Sequence, residues 1–276
     1  MTKTSIVVLS DVHVGSKYAV MSPTAKIGQP LPTDDDDVEG GVYHSTKAQR
    51  ALYDAWKESV AAWKKPDILI INGELIDGPN PKQPSEVWTT TLYDQMTAAK
   101  QLVDMYEAKK IYMTRGSDYH VTVGDQQFEE YLGAMLKAER IGGKYAPTEL
   151  NFEVQGKFFN AAHHIGTSTA TWYRTTPIAK EMVAMLLAAS HRYNSDVMIR
   201  SHIHFHVVVA FSRQIGVTTP CWKLQDWYIM KKSIGASTPD IGAMRFTVED
   251  GEVDWQVKTF KFPELRPPLI KVVGEK

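Results

Sequence analysis

Two rhythms of apolar positions alternate along the first three quarters of this chain. Short, nearly continuous apolar runs appear at Ile6–Leu9, Ile68–Ile71, Ile111–Met113, Phe158–Ala162 and Val197–Ile199. Between them lie longer stretches with apolar residues three or four apart, the spacing of one helix face. Residues 45–63 carry Ala48, Leu52, Trp56, Val60 and Trp63, with Ser45 placed to cap the start and Pro66 just past the end. Residues 92–108 repeat the pattern with Leu92, Met96, Ala99, Val103 and Tyr106, and residues 125–139 with Phe128, Leu132, Met135 and Leu136. Residues 177–193 open on Thr176-Pro177, a cap and a first-turn proline, and continue with Ile178, Met182, Met185 and Ala189. Buried strands alternating with helices predict βαβ units and a parallel sheet. After residue 205 the rhythm changes. Val207–Phe211, Ala243–Val248 and Val253–Phe260 read as strands, the last two joined by a turn at Glu249-Asp250-Gly251. They predict a second, more antiparallel sheet packed on the first.

Neither a repeat nor a linker interrupts the pattern, so residues 1–276 are expected to form a single domain. Residues 14–44 form a long loop rich in Gly and Pro, and its run Asp34–Asp37 is expected to be a solvated tip. A second loop, Pro79–Trp88, is also placed to line a site.

Each apolar run is followed at once by His, Asp or Glu. The clusters are Asp11-Val12-His13, Gly73-Glu74-Leu75-Ile76-Asp77, Gly116-Ser117-Asp118-Tyr119-His120, His163-His164 and His202-Ile203-His204. In an open α/β sheet the carboxyl ends of parallel strands meet along one edge, where ligands bind. Imidazole and carboxylate together suit borderline divalent cations, not a thiolate site. Strand alternation allows only one of His163 and His164 to face such a site, and His163, which directly ends the run, is favoured. His206 lies in phase with His202 and His204. Arg115 and Arg200 sit just before two of the clusters, where a guanidinium could meet phosphate oxygens. His44 and His191 are expected to be surface or packing residues. Trp172 and Tyr173 could stack on a base, although packing is the commoner fate of such aromatics.

The order of these motifs resembles that of the calcineurin-like metallophosphoesterases, which carry Asp-x-His, Gly-Asp-x-x-Asp, Gly-Asn-His, a lone His and Gly-His-x-His. Two motifs depart from that pattern. Gly73-Glu74 stands for Gly-Asp, and Gly116-Ser117-Asp118-Tyr119-His120 for Gly-Asn-His. Arg115 through His120 is similar to the Arg-Gly-Thr-x-x-His form of divergent phage and prophage members. The resemblance implies a layered α/β/β/α sandwich, two mixed sheets flanked by helices, with metals at the carboxyl edge of the strands. It implies two divalent ions, Mn most of all, with Fe, Zn, Ni, Co or Mg as alternatives. One ion would take Asp11, His13, Glu74 and His204. The other would take Glu74, His202, one of His163/His164 and one of Asp118/Ser117. Asp118 is favoured over Ser117 because a carboxylate is the better ligand for such cations. His120 would be the general acid and Asp77 the carboxylate that orients it. Arg115, Arg200 and His206 are candidates for substrate contact.

Composition narrows the remaining choices. The net charge of −1 gives no support for strong nonspecific binding to nucleic acid. The single cysteine, Cys221, allows no internal disulfide and fits a reducing compartment. No run approaches the ~20 apolar residues of a membrane span, so a soluble protein of the cytoplasm, the host's if phage-encoded, is expected. The expected activity is hydrolysis of a phosphodiester in nucleic acid or a nucleotide. The alternatives are a phosphomonoesterase or protein phosphatase, and a non-catalytic metal-binding scaffold.

Overall fold

A computed structural model describes residues 3–28, 41–166, 173–188, 194–226 and 238–262. Its strands are β1 Lys3–Leu9, β2 Lys26–Ile27, β3 Gly41–Val42, β4 Ile68–Asn72, β5 Lys110–Thr114, β6 Thr122–Val123, β7 Gln126–Gln127, β8 Glu149–Val154, β9 Lys157–Ala162, β10 Val197–Arg200, β11 Val207–Phe211, β12 Gln214–Thr218, β13 Ile241–Glu249 and β14 Glu252–Phe260. The helices are α1 Lys47–Trp63, α2 Leu92–Asp104, α3 Asp118–Val121, α4 Phe128–Met135 and α5 Thr176–Leu187.

Two five-stranded mixed sheets stack between helices. The first has the order β14-β13-β1-β4-β5 and the second β11-β12-β10-β9-β8. Strand β1 explains why the early runs are continuous: both of its faces are buried. Ile6 and Val8 point between the sheets, where they meet Phe159, Val197, Ile199 and Phe246. Val7 and Leu9 point the other way, into a layer with Leu52 and Trp56 of α1 and Ala99 and Leu102 of α2. On the far side, Ile178, Met182 and Met185 of α5 cover Met198 of β10. The architecture is the expected α/β/β/α sandwich.

Two details differ from the sequence reading. The late strands β13 and β14 do not build the second sheet. They extend the first, with β13 antiparallel to β1 and Ile6 opposite Phe246. The reason is phase: Met244, Phe246 and Val248 bury on the same side as Ile6 and Val8. The second sheet is instead completed by β8 and β12, whose short sequences of mixed polarity carry little strand signal. The helices are also shorter than their apolar spacing suggested. Thr46, not Ser45, caps α1 through a reciprocal capping box with Gln49.

The loop after β1 is partly built into the core: Val14, Val20, Met21 and Ala25 belong to the helix-side cluster. The backbone N–H of Val20 donates to the Trp222 carbonyl at 3.1 Å, which fastens the loop to the segment after β12. Asp34–Asp37 lie outside the described residues, as do Trp172, His191 and the end of the 177–193 stretch.

Candidate metal centre

Strands β1, β4 and β5 run parallel in one sheet, and β9 and β10 run parallel in the other. Their carboxyl ends meet along one edge. Asn72, the last residue of β4, joins the sheets there. Its Nδ2 donates to the Ala162 carbonyl at 2.9 Å and to Ser201 Oγ at 2.6 Å, while Thr114 Oγ1 donates to its Oδ1 at 2.8 Å. The chain segments beyond the strands stay in contact. Asp11 N–H donates to the Gly73 carbonyl and His13 N–H to the Glu74 carbonyl, at 3.1 and 3.0 Å.

Donor atoms collect above this junction in two groups that share one residue. Asp11, His13, Glu74 and His204 each present a ligand atom, all within 4.8 Å of one another, and Glu74, His163 and His202 do the same. Glu74 lies between them. Its Oε2 is 3.0 Å from His13 Nε2, and its Oε1 is 3.2 Å from His163 Nε2 and 3.8 Å from His202 Nδ1. The Glu74 backbone lies in the left-handed region, at φ 55°.

That conformation is general here. Asp11, His13, Glu74, His202 and His204 all have φ between 49° and 73°. Each such non-glycine residue costs on the order of 1–3 kcal/mol, and such residues gather at functional sites. The neighbouring glycines are steric necessities. A Cβ on Gly73 would lie 2.5 Å from the His163 ring, and one on Gly116 would lie 2.6 Å from the Glu74 nitrogen.

Outer partners hold the imidazoles. His13 Nδ1 donates to Asp77 Oδ1 at 2.9 Å, and His163 Nδ1 donates to the Asn72 carbonyl at 2.8 Å. Both arrangements leave Nε2 as the lone-pair nitrogen facing the cluster, as metal-bound His requires. The donor set fits cations. Asp11 Oδ1, His163 Nε2 and His202 Nδ1 are buried without a hydrogen-bond partner. The Nε2 atoms of His13 and His204 face each other at 3.2 Å. Burial would raise the Asp11 carboxyl, but His163 and His204 outweigh it and hold its pKa at about 2. Burial likewise works against ionised Glu74, yet His163 and His13 keep it well below the usual carboxylate range. Burial disfavours the charged form of His163, but Glu74 and Asp11 raise its pKa to about 10. Cations and protons therefore compete for the same lone pairs.

Not every expected residue joins the cluster. Asp118 does not. It is the first residue of α3, its side chain is 75% exposed, and it pairs with Arg115 and Thr122. Ser117, one residue earlier, turns inward: its Oγ and its N–H both donate to Glu74 Oε1. Of the histidine pair, His163 is buried, while exposed His164 lies with its ring 5.2 Å from that of His202. Arg200 points the other way, to Glu181 on α5 at 2.6 Å. Arg115 is bound up with Asp118 and Thr122. His206 donates from Nδ1 to the Thr218 carbonyl at 2.6 Å, which makes it a brace between segments. His44 is exposed, as expected.

Asp77 stands beside His120, as the sequence suggested, and meets it most closely through the backbone. His120 Nδ1 donates to the backbone carbonyl of Asp77 at 2.7 Å and lies 3.6 Å from its carboxylate Oδ1. The same carboxylate serves His13, and it also accepts from Lys223 Nζ at 3.2 Å. Burial raises the Asp77 carboxyl, yet Lys223 and His13 keep it ionised far below its ordinary value. His13, Asp77 and His120 form a third set of close donor atoms. With His13 turned to the cluster and Asp77 held by Lys223, that set is a support. The His120 ring packs edge-on against His13, with centroids 4.6 Å apart. Burial and the neighbouring His13 lower its pKa.

Three supporting residues gave no signal in the sequence: Asn72, Lys223 and Glu129. Glu129, on α4, accepts from Leu75 N–H at 3.2 Å and Gly116 N–H at 2.6 Å, and so ties the Glu74 loop to the Ser117 loop. Burial raises its pKa to about 7, despite those two N–H donors. Each of the three depends on partners more than ten residues away in sequence, so no local pattern could mark it.

No helix among the described residues is long and apolar enough to cross a membrane. No family model and no curated protein sequence matches the chain. Solved structures do show likeness. A novel archaeal phosphodiesterase is 12% identical, with 92% of this chain and 100% of that one covered, at a TM-score of 0.45. Vps29 from Entamoeba histolytica, complexed with zinc, is 11% identical over 94% of this chain and 100% of its own, at 0.39. A predicted phosphoesterase from Streptococcus pneumoniae is 10% identical over 93% of this chain and 91% of its own, at 0.39.

Proposed function

We propose that this chain is a two-metal phosphodiesterase that acts on nucleic acid or a nucleotide. The observation that supports it most is the pair of donor groups sharing Glu74. A single carboxylate between two ions is what holds them at the separation that phosphoryl transfer uses. Asp11, His13, Glu74 and His204 would hold one divalent ion, and Glu74, His163, His202 and Ser117 the other. Mn²⁺ suits this mixture of imidazole and carboxylate. Two such ions, when bound, supply an activated water and neutralise phosphoryl oxygens.

The protein's own residues do the rest. Asp77 and the Asn72 carbonyl fix the tautomers of His13 and His163. Ser117 and Glu129 keep Glu74 in place. His120 donates from Nδ1 to the Asp77 carbonyl, so its Nε2 carries a proton for the leaving oxygen only as the imidazolium, the form that a bound anionic phosphoester would favour. An alkoxide leaving group needs that proton more than a phenolate does, which favours the diester reading. The two sheets would act as one domain, because candidate ligands come from both.

Metal content and turnover test the proposal together. The protein, saturated with Mn²⁺ and desalted, should carry two ions per chain and hydrolyse an aryl phosphodiester. A stoichiometry of one or none, or no turnover with any of Mn, Fe, Zn, Ni, Co or Mg, overturns it.

A further inference from the structure

Next to His120 lies a cavity of about 260 Å³. It is lined by Asn80, Lys82, Gln83, Tyr119, His120, Lys223 and Asp226. The walls are built. Tyr119 OH donates to Asn80 Oδ1 at 2.8 Å and accepts from Lys82 N–H at 3.3 Å, so the ring is held at its tip. The ring itself is 37% exposed. Lys82 Nζ stands 5.3 Å from its centroid. The floor is a buried ammonium. Lys223 is 3% exposed, with Nζ 3.2 Å from Asp77 Oδ1 and 3.0 Å from Asp226 Oδ2.

From this geometry we infer a subsite for a nucleotide leaving unit. The inference rests on the phosphodiesterase reading above and gives it a substrate class. His120 protonates the departing oxygen, so whatever carries that oxygen must lie beside His120. The cavity is the space that His120 lines there. Its volume is just under the ~300 Å³ at which pockets for drug-sized ligands begin, so it takes one base and sugar, not a protein side of a phosphoprotein. Its chemistry agrees. A fixed aromatic ring offers a stacking face that accepts any base. Asn80, Gln83 and Asp226 place polar atoms for sugar hydroxyls. Lys82, an exposed cation at the rim, reaches the next phosphate along the strand. In the reaction, water adds to phosphorus and the P–O bond to the nucleotide breaks. A proton from the His120 imidazolium goes to the departing oxygen, the proton lost by water passes to solvent, and solvent reprotonates His120.

Binding by the metal-free protein isolates the subsite from catalysis. Isothermal titration with adenosine 5′-monophosphate and with adenosine should show saturable binding of both, the nucleotide the tighter. Tyr119→Ala should weaken both by about 5–150-fold, the worth of one base–aromatic stack. Tyr119→Phe should retain most of the affinity. Lys82→Ala, an exposed change that leaves the fold intact, should remove the preference for the nucleotide over the nucleoside. Wild-type affinity in both Tyr119→Ala and Lys82→Ala overturns the subsite, as does no binding to the wild type. Should Tyr119→Ala fail to fold, an unchanged nucleotide preference in Lys82→Ala overturns it alone. Hydrolysis of an aryl diester is scored separately. Turnover without nucleotide binding rejects the subsite and leaves the phosphodiesterase reading standing. Binding without turnover under any metal rejects that reading and leaves a nucleotide site.

Discussion

The two donor groups differ in depth and charge although they share Glu74. The first has two carboxylates, Asp11 and Glu74, and its least buried side chain, His204, is 13% exposed. The second has only Glu74 as an anion, and its His202 is 34% exposed. The outer supports differ too. Asp77 and Lys223 brace the first group through His13. Glu129 braces the second by joining the Glu74 and Ser117 loops. More negative charge in a drier place holds a cation harder. On the proposed reading, the first group would hold its ion the harder, and the second, more open, would exchange its ion more readily.

Removing the shared residue should erase the difference. Glu74→Ala is expected to lose both ions and all detectable turnover. Elemental analysis beside an activity assay checks this, and a variant that keeps two ions and its rate would show that the groups are independent.

A change outside both groups should leave their metal content intact. His120→Asn is expected to keep two ions while turnover falls about 10²–10⁴-fold, the worth of a positioned acid. The loss should be greater on a diester with an alkyl leaving group than on an aryl diester. An equal loss on both, or loss of metal, would make His120 a ligand or a structural residue.

The brace of the second group carries a pH signature. Glu129 has its folded pKa raised from 4.5 to about 7. The folded protein then binds the proton more tightly. This contribution is fully present below pH 4.5 and is lost as pH rises through 7. Integrated, it amounts to about 3 kcal/mol. Denaturant titrations of the metal-free protein between pH 4.5 and 8 should show it as the difference between wild type and Glu129→Gln. Parallel pH profiles would remove Glu129 as the source.

The brace of the first group should act on affinity alone. Asp77→Asn is expected to weaken the tighter of two Mn²⁺ binding steps by about 10–100-fold, the usual cost of a lost outer partner. The weaker step should hardly move. Competition with a fluorescent chelator resolves the two steps, and equal loosening of both would dissolve the distinction between the groups.

The clusters were legible because each candidate donor follows its strand closely. Asp11, His13, Glu74, His163, His202 and His204 could be found by reading where apolar runs stop. Ser117 against Asp118 could not. The choice depends on which of two adjacent residues starts the short helix α3, and that start sends the Asp118 side chain to Arg115 and solvent. Arg200 sat beside a motif yet belongs to the opposite face, because strand alternation sends it to Glu181. Lys223 stands 146 positions from its partner Asp77, and nothing local distinguishes it from a surface lysine.

The sequence by itself determined the strand–helix alternation, the layered class and the ligand types, since these depend on local periodicity and on what directly follows each strand. Tertiary structure decided the rest. The phase of buried residues in β13 sent the last hairpin to the first sheet, and the left-handed turns at five cluster residues aimed their donors inward. The Asp77 carboxylate came closer to His13 and Lys223 than to His120, whose shortest bond is to the Asp77 backbone carbonyl. Such outcomes depend on distances between segments far apart in the chain, and those exist only once both sheets have packed.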